Sequence, residues 1–119
     1  MQDFRNLKVW EKGHALTLAT YRETANFPKD ELFGLRLQMR RTAAAIPMKI
    51  ADGCGRGNDV DFIRCLQTGM RSASELEYQF IPARDLSYIA AEKYAELTAD
   101  VIEVKKMLAS FIKTVRTDG

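Results

Sequence analysis

The sequence predicts an all-α protein, an antiparallel up-down-up-down four-helix bundle that forms a single domain. Apolar residues recur at three- and four-residue steps in four segments, and no segment shows the period of two that is typical of strands. Short turn sequences separate the segments, and short connections place successive helices antiparallel. A chain of 119 residues accommodates one such domain and is too short for two.

The first helix is predicted over about residues 7–25, with Asn6 as its N-cap. Its apolar residues recur on one face, which we expect to be buried, and that face includes the only histidine, His14. We therefore expect His14 to be packed beside a hydrogen-bond partner. Pro28 ends the helix because proline has no amide hydrogen. The predicted buried face comprises Leu7, Trp10, His14, Leu18, Tyr21 and Ala25.

The second helix is predicted over about residues 30–54, with a kink at Pro47. It carries two apolar stripes whose centres lie about 120° or more apart, whereas a helix at the edge of a monomeric bundle needs only one. The stripe expected to face the core comprises Leu32, Leu35, Met39, Ala43, Ile46 and Ile50. The second stripe, expected to form an interface between copies of this chain, comprises Phe33, Leu37, Ala44, Met48 and Ala51. Two stripes imply either deep burial of this helix or a partner, and we predict a homo-oligomer.

The third helix is predicted over about residues 59–86, with Asn58 or Asp59 as its cap. Pro82 is expected to bend or end its last turn. The alternating four- and three-residue spacing of a heptad repeat predicts its buried face. That face comprises Phe62, Leu66, Gly69, Ala73, Leu76, Phe80 and Ala83.

The fourth helix is predicted over about residues 90–116, with Ser87 as its cap. The same alternating spacing predicts its buried face, so this helix completes the bundle. The face comprises Ala90, Tyr94, Leu97, Val101, Val104, Leu108, Phe111 and Val115.

The compartment is predicted to be the cytoplasm. No apolar run approaches the roughly 20 residues needed to cross a bilayer, so no membrane association is expected. The first residues, MQDFRN, lack the pattern of a secretory signal. Cys54 and Cys65 are the only cysteines, and two scattered thiols are typical of a reducing environment. We expect both thiols to be reduced and to help packing.

No catalytic or metal-binding constellation is visible, so we expect no enzyme, no metal and no cofactor. His14 has no second histidine beside it, and no glutamate stands three residues before it. The GCGRG sequence at residues 53–57 does not follow a strand and lacks the ending of a phosphate-binding loop, so we interpret it as a helix-terminating turn. Glu75 and Glu77 point in different directions on a helix and are expected to pair with basic neighbours.

Basic residues are concentrated in the middle of the chain. Residues 36–71 carry a net charge of +4, whereas the remainder carries −2. Arginine suits phosphate because its forked donors match phosphate oxygens. We predict nucleic-acid contacts at Arg36, Arg40, Arg41, Lys49, Arg56, Arg64 and Arg71. The alternative is that these charges keep the surface solvated or pair across a subunit contact.

Several sequence blocks occur in a recognisable order. They are DFRNLKVW at residues 3–10, FPKDELFGL at 27–35, IP at 46–47, IA at 50–51, FIR at 62–64 and SELEY at 74–78. Together they resemble the four helix bundle protein family, also called the 23S rRNA intervening-sequence proteins. The resemblance covers nearly the whole chain. It implies a ring-shaped homopentamer without established enzymatic activity.

A branch related to that family serves as accessory proteins of diversity-generating retroelements, in which a basic surface binds nucleic acid. The resemblance therefore implies RNA or DNA as partners of a non-enzymatic, homo-oligomeric scaffold. The alternative is a protein-interaction ring that recruits a partner protein without touching nucleic acid. The sequence departs from the family pattern at Met48, Lys49, Asp52, Cys65 and Pro82, so functions tied to residues 47–53 are not carried over.

Overall fold

The computed structural model describes residues 2–118 and confirms the all-α four-helix bundle. Its helices are α1 (Lys8–Thr24), α2 (Leu35–Cys54), α3 (Asp59–Asp85) and α4 (Ala91–Asp118), and residues 2–118 contain no strand. Single 3-10 turns occur at Phe4–Asn6 and Lys29–Glu31. Each helix packs antiparallel to the next, and α4 packs against α1 to close a bundle with extents of 46 × 24 × 20 Å.

The buried face of α1 differs from the predicted one. Leu18 and Tyr21 are exposed, and so is His14, which stacks on the Trp10 ring with a centroid distance of 5.0 Å. The prediction of a packed histidine in the core is therefore wrong. The residues that are buried instead are Val9, Gly13, Leu16, Thr17, Thr20 and Thr24.

Threonine hydroxyls explain why a partly polar face is buried. Thr20 Oγ1 donates to the Leu16 carbonyl at 2.8 Å, and Thr24 Oγ1 donates to the Thr20 carbonyl at 2.8 Å. Thr17 Oγ1 donates across the helix pair to the Ala43 carbonyl of α2 at 2.9 Å. Because these bonds satisfy the hydroxyls, the threonines are buried without an unpaired polar group. A Cβ atom at Gly13 on this face would lie 3.3 Å from Ile46 Cγ2, so the absence of a side chain there lets α1 and α2 approach closely.

The start of α2 lies five residues later than predicted. Residues Lys29–Glu31 form a 3-10 turn, and the Glu31 carboxylate accepts the Leu35 amide hydrogen at 2.9 Å, which caps α2. The Tyr88 hydroxyl donates to the other oxygen of Glu31 at 2.9 Å. Leu32 and Phe33 therefore lie outside the helix and are exposed. The predicted core stripe is buried at Met39, Ala43, Ile46 and Ile50.

Replacing Glu31 with glutamine is expected to lower the free energy of unfolding by about 1 kcal/mol, the usual contribution of a helix cap. The neutral amide keeps one acceptor oxygen but loses the second acceptor and the negative charge at the helix start. Urea denaturation measures the change. Asp30→Asn is the matched control, because Asp30 carries the same charge on the neighbouring, exposed position. Equal losses in the two variants would show that Glu31 does not cap α2.

The heptad prediction for α3 is confirmed, since all seven predicted residues are buried. Asn58 caps this helix, because its Oδ1 accepts the Asp61 amide hydrogen at 2.9 Å. The helix continues through Pro82 to Asp85, as α2 continues through Pro47 to Cys54, so neither proline ends its helix. Ser87 does not cap α4. It adopts a left-handed backbone with φ of 63° in the connection, and α4 begins at Ala91.

Candidate nucleic-acid interface

A polar groove lies where the C-terminal end of α2 meets the N-terminal half of α3. Its volume is about 280 Å³. We call it the basic groove. It is lined by Lys49, Arg56, Asp61, Arg64, Cys65 and Thr68.

The packing of α2 against α3 brings the walls of the groove together. Gly53 is buried against the Phe62 ring, and a Cβ atom at this position would lie only 2.7 Å from Phe62 Cδ1. A residue without a side chain therefore lets the two helices approach closely at this point. The turn after Gly53 then carries Arg56 back toward the groove, where it meets Asp52.

Asp52 is the centre of the charge arrangement at one side of the groove. Its Oδ2 accepts a hydrogen bond from Arg56 Nη2 at 3.1 Å and lies 3.5 Å from Lys49 Nζ. The Cys65 thiol, with its sulfur at 3.8 Å, donates to the same oxygen. The hydrogen bond from Arg56 lowers the pKa of Asp52, assisted by the charges of Arg56 and Lys49. Asp52 is therefore a carboxylate at neutral pH.

The Cys65–Asp52 contact is not a nucleophile paired with a base. A carboxylate whose pKa is lowered by Arg56 is a poor proton acceptor, whereas an activated cysteine needs a base such as histidine. Cys54 and Cys65 are both buried free thiols. Burial raises the pKa of the Cys54 thiol, so that thiol is protonated at neutral pH.

Two arginines continue the positive surface along α3. Arg64 has 75% of its side chain exposed, and its Nη1 lies 3.7 Å from Asp61 Oδ1. Arg71 is exposed, and its Nη2 donates to Thr68 Oγ1 at 3.0 Å. The two arginines lie seven residues apart, which corresponds to about 10.5 Å along the helix axis. With Lys49 and Arg56 they place four cations beside two carboxylates.

The other three predicted contact residues lie toward the start of α2, away from the basic groove. Arg41 precedes Lys49 by eight residues, or about 12 Å of helix. Arg40 is used within the bundle, because its Nε donates to Thr24 Oγ1 at 2.9 Å and its Nη2 donates to the Tyr21 carbonyl at 3.0 Å. Arg36 is half-buried and Arg41 is exposed. The structure thus brings Lys49, Arg56 and Arg64 together in the groove and places Arg71 beside Thr68 at its edge.

The predicted interface between copies runs along the outer side of α2. Met48 is 63% exposed, and Leu37, Ala44 and Ala51 are half-buried on the same side. Phe33 is 84% exposed but stands in the turn before α2 rather than on the helix stripe. The assembly of copies through this surface stays a prediction.

The sequence interpretation missed the role of two groove residues, Asp61 and Thr68, and of Asp52, which pairs with the groove residues Lys49 and Arg56. A helical spacing signal was present for Asp52, because it follows Lys49 by three residues and precedes Arg56 by four. The expected pairing of Glu77 is confirmed, since Lys105 Nζ donates to its Oε1 at 2.9 Å. Glu75 is exposed.

A second concavity of about 450 Å³ lies between the start of α1 and the second half of α4. Its walls are mainly apolar and include Leu7, Val9, Met107 and Phe111, with Lys8 and Lys106 also lining it. Across residues 2–118, no group of three or more His, Cys, Asp or Glu side chains is placed to hold a metal ion. In the same span, every helix is too short or too polar to cross a membrane.

The fold and the basic groove define an all-α helical-bundle protein with a cationic surface on its second and third helices. The family model of the 23S rRNA-intervening sequence proteins matches residues 5–110. The chain therefore belongs to the 23S rRNA-intervening sequence protein family, which confirms the resemblance read from its sequence blocks.

A crystal structure with a similar fold comes from Bacteroides thetaiotaomicron and is described as a protein with unknown function from the S23 ribosomal protein family. The two chains are 26% identical, with a TM-score of 0.79. The match covers 88% of this chain and 98% of that one. No curated protein matches this chain.

Proposed function

We propose that this chain is a non-enzymatic, homo-oligomeric scaffold that binds RNA or DNA through the basic groove. The observation that carries the proposal is the placement of Lys49, Arg56 and Arg64 around one open groove, with Arg71 bonded to Thr68 at its edge. The carboxylates that pair with these cations are Asp52 and Asp61. Such a surface contacts phosphates rather than base edges, so we expect little sequence preference. The family description, which refers to 23S rRNA, is consistent with a nucleic-acid partner.

Assembly of several copies would strengthen a modest local charge. Lys49, Arg56, Arg64 and Arg71 together exceed their carboxylate neighbours, Asp52 and Asp61, by two charges in each chain. A ring repeats that excess around its symmetry axis, and the summed field attracts a polyanion even though the whole chain carries only +2. The resemblance implies five copies.

A gel shift of labelled single-stranded RNA with nuclease-treated protein at low salt tests the proposed binding. RNA that stays free at every protein concentration would contradict the proposal.

The outer side of α2 is the proposed contact between copies, and Met48 is its most exposed helical residue. We expect sedimentation to give the wild type a mass several times the 13.5 kDa of one chain. Met48→Asp is expected to shift most of the protein to a smaller species, because the interface would have to bury an unpaired charge. Sedimentation velocity at fixed protein concentration measures both.

Leu18→Asp is the matched control for that substitution, because Leu18 is an exposed leucine on α1, away from the proposed contact. It is expected to keep the mass of the wild type. A monomeric wild type would contradict the assembly itself. An oligomer that survives Met48→Asp would place the contact on another face.

A second candidate function is a ring that recruits a protein partner without binding nucleic acid. The observation in its favour is an exposed apolar end of the bundle, where Phe33 and Leu86 flank the Glu31–Tyr88 hydrogen bond. This candidate function predicts that the purified protein has no affinity for RNA. It also predicts that a partner protein binds the wild type and does not bind the Phe33→Ser variant. The relation to accessory proteins of diversity-generating retroelements and the cytoplasmic location stay predictions.

A further inference from the structure

We propose that Asp52 is a built-in competitor of phosphate, so that a phosphate group of the nucleic acid binds in the basic groove by taking over the contacts that Asp52 now receives from Arg56 and Lys49. This inference rests on the proposed function and names the regulation of the same site. Competition from Asp52 would then set the affinity of the groove for different anions, because only an anion that displaces the carboxylate binds there.

The contacts of a single oxygen carry the argument. Asp52 Oδ2 receives the Arg56 Nη2 hydrogen bond at 3.1 Å, with Lys49 Nζ at 3.5 Å and the Cys65 thiol sulfur at 3.8 Å. A phosphate oxygen is an acceptor of the same kind, and it suits the forked donors of arginine. The carboxylate oxygen of Asp52 is therefore surrounded by donors that would suit a phosphate oxygen equally well.

A ligand can reach the same cations from solvent. Arg56 has 47% of its side chain exposed and Lys49 has 39%, so their pairing with Asp52 leaves donor atoms accessible. Ion pairs at this exposure are weak because water screens them. A polyanion that offers several phosphates can therefore displace the carboxylate, whereas a single small anion has little advantage over it.

The other side of the groove is not blocked in the same way. Arg64 Nη1 is 3.7 Å from Asp61 Oδ1, which is longer than an ordinary hydrogen bond, and the Arg64 side chain is largely exposed. Arg64 thus holds donors ready for a phosphate before Arg56 exchanges partners. The expected order is a first contact at Arg64, followed by exchange at Arg56.

Replacing Asp52 with asparagine is expected to tighten the binding of single-stranded RNA about fivefold, the upper range of one exposed charge pair. The amide has nearly the same shape and removes only the charge. Fluorescence anisotropy at fixed salt measures the affinity. Asp100→Asn is the matched control. Asp100 is exposed and lines a cleft with Arg22 and Lys93 toward the other end of the bundle, so its replacement makes the same change in net charge far from the groove. We expect it to change the RNA affinity less than about twofold.

A double-mutant cycle separates competition at Arg56 from a general charge effect. If Asp52 occupies Arg56, then Arg56→Gln weakens binding more in the Asp52→Asn background than in the wild type, so the two effects are not additive. Additive effects, or an equal gain in Asp52→Asn and Asp100→Asn, would overturn the inference while leaving the proposed function intact. If neither the wild type nor the Asp52→Asn variant binds RNA at low salt, the inference and the proposed function are both overturned.

Folding of the variants is checked by thermal unfolding followed by circular dichroism. Asp52→Ser is the second variant should the asparagine variant unfold, because it removes the same carboxylate with a smaller side chain. It is expected to give the same gain in affinity. A folded Asp52→Ser variant that binds RNA no more tightly than Asp100→Asn would contradict the inference.

Discussion

Replacing Lys49, Arg56 and Arg64 together with glutamine is expected to weaken the binding of single-stranded RNA about 100-fold near 0.1 M salt. Each phosphate contact to a single strand contributes about 0.7 to the slope of affinity against salt, so each lost contact removes roughly a factor of five at this concentration. All three residues line the basic groove, and none is buried in the core. Fluorescence anisotropy of a labelled oligonucleotide measures the loss.

A matched triple variant places the same loss of charge at the other end of the bundle. Arg22, Lys29 and Lys93 lie near the end of α1, in the following 3-10 turn and near the start of α4, and all three are exposed. Their replacement by glutamine is expected to weaken binding by less than about fivefold, because screening limits the reach of surface charges to roughly 10 Å. Equal losses in both variants would show that the groove is not the binding surface.

Gly53→Ala is expected to lower the free energy of unfolding by about 2 kcal/mol, the range for an overpacked helix contact. The added Cβ would lie 2.7 Å from Phe62 Cδ1 and 3.1 Å from Cys65 Cβ. The Phe62 ring packs edge-on against Phe111 with a centroid distance of 5.6 Å, so the whole ring must move and this aromatic contact must change to relieve the clash. The gain of about 1 kcal/mol from alanine in a helix offsets only part of this strain. Urea denaturation measures the change.

Gly57→Ala is the control for that substitution, since nothing lies within 4 Å of a Cβ at position 57. Its free energy of unfolding is expected to stay within about 0.5 kcal/mol of the wild type. A Gly53→Ala protein as stable as Gly57→Ala would contradict the close approach of α2 and α3. The same approach places Asp52 beside Cys65, so this result bears on the groove as well as on the fold.

The third helix was the most predictable part of the fold. Its predicted residues follow heptad spacing and all are buried, so periodicity alone located the core face of α3. On α4 the predicted face is buried at Leu97, Val101, Val104, Leu108 and Val115, but Ala90 is exposed, and Ile112 is buried in place of the half-buried Phe111. The buried face of α1 was not predictable in this way. Thr20 and Thr24 count as polar in a hydropathy pattern, yet their hydroxyls are satisfied by carbonyls four residues earlier in the same helix. Burial there depends on local hydrogen bonds that periodicity does not reveal.

The start of α2 depended on a contact between distant residues. Glu31 caps the helix and also accepts a hydrogen bond from Tyr88, 57 residues later. The sequence pattern extended the helix back through Leu32 and Phe33 because their spacing fits an apolar face. The structure instead exposes both in the turn before the helix. This difference moves Phe33 away from the helical stripe that we propose as the contact between copies.

The basic cluster was predictable as a concentration of charge but not as a surface. Arg40 belonged to the predicted set, yet it bridges α2 to the Thr24 hydroxyl and the Tyr21 carbonyl of α1. Composition does not distinguish an arginine used for packing from one that faces solvent. The contact between Cys65 and Asp52 likewise arises from the packing of α2 on α3. The local signals for the groove were the helical spacings of Asp52 from Lys49 and Arg56 and of Asp61 from Arg64.

The salt dependence of RNA binding by the wild-type protein tests the central claim most directly. Three groove cations and Arg71 at the groove edge predict that the logarithm of the association constant falls with the logarithm of salt concentration with a slope of about −3 or steeper. The measurement uses nuclease-treated protein and a single-stranded RNA oligonucleotide. A slope near zero, or no binding at the lowest salt, would contradict a phosphate-binding surface made by Lys49, Arg56, Arg64 and Arg71.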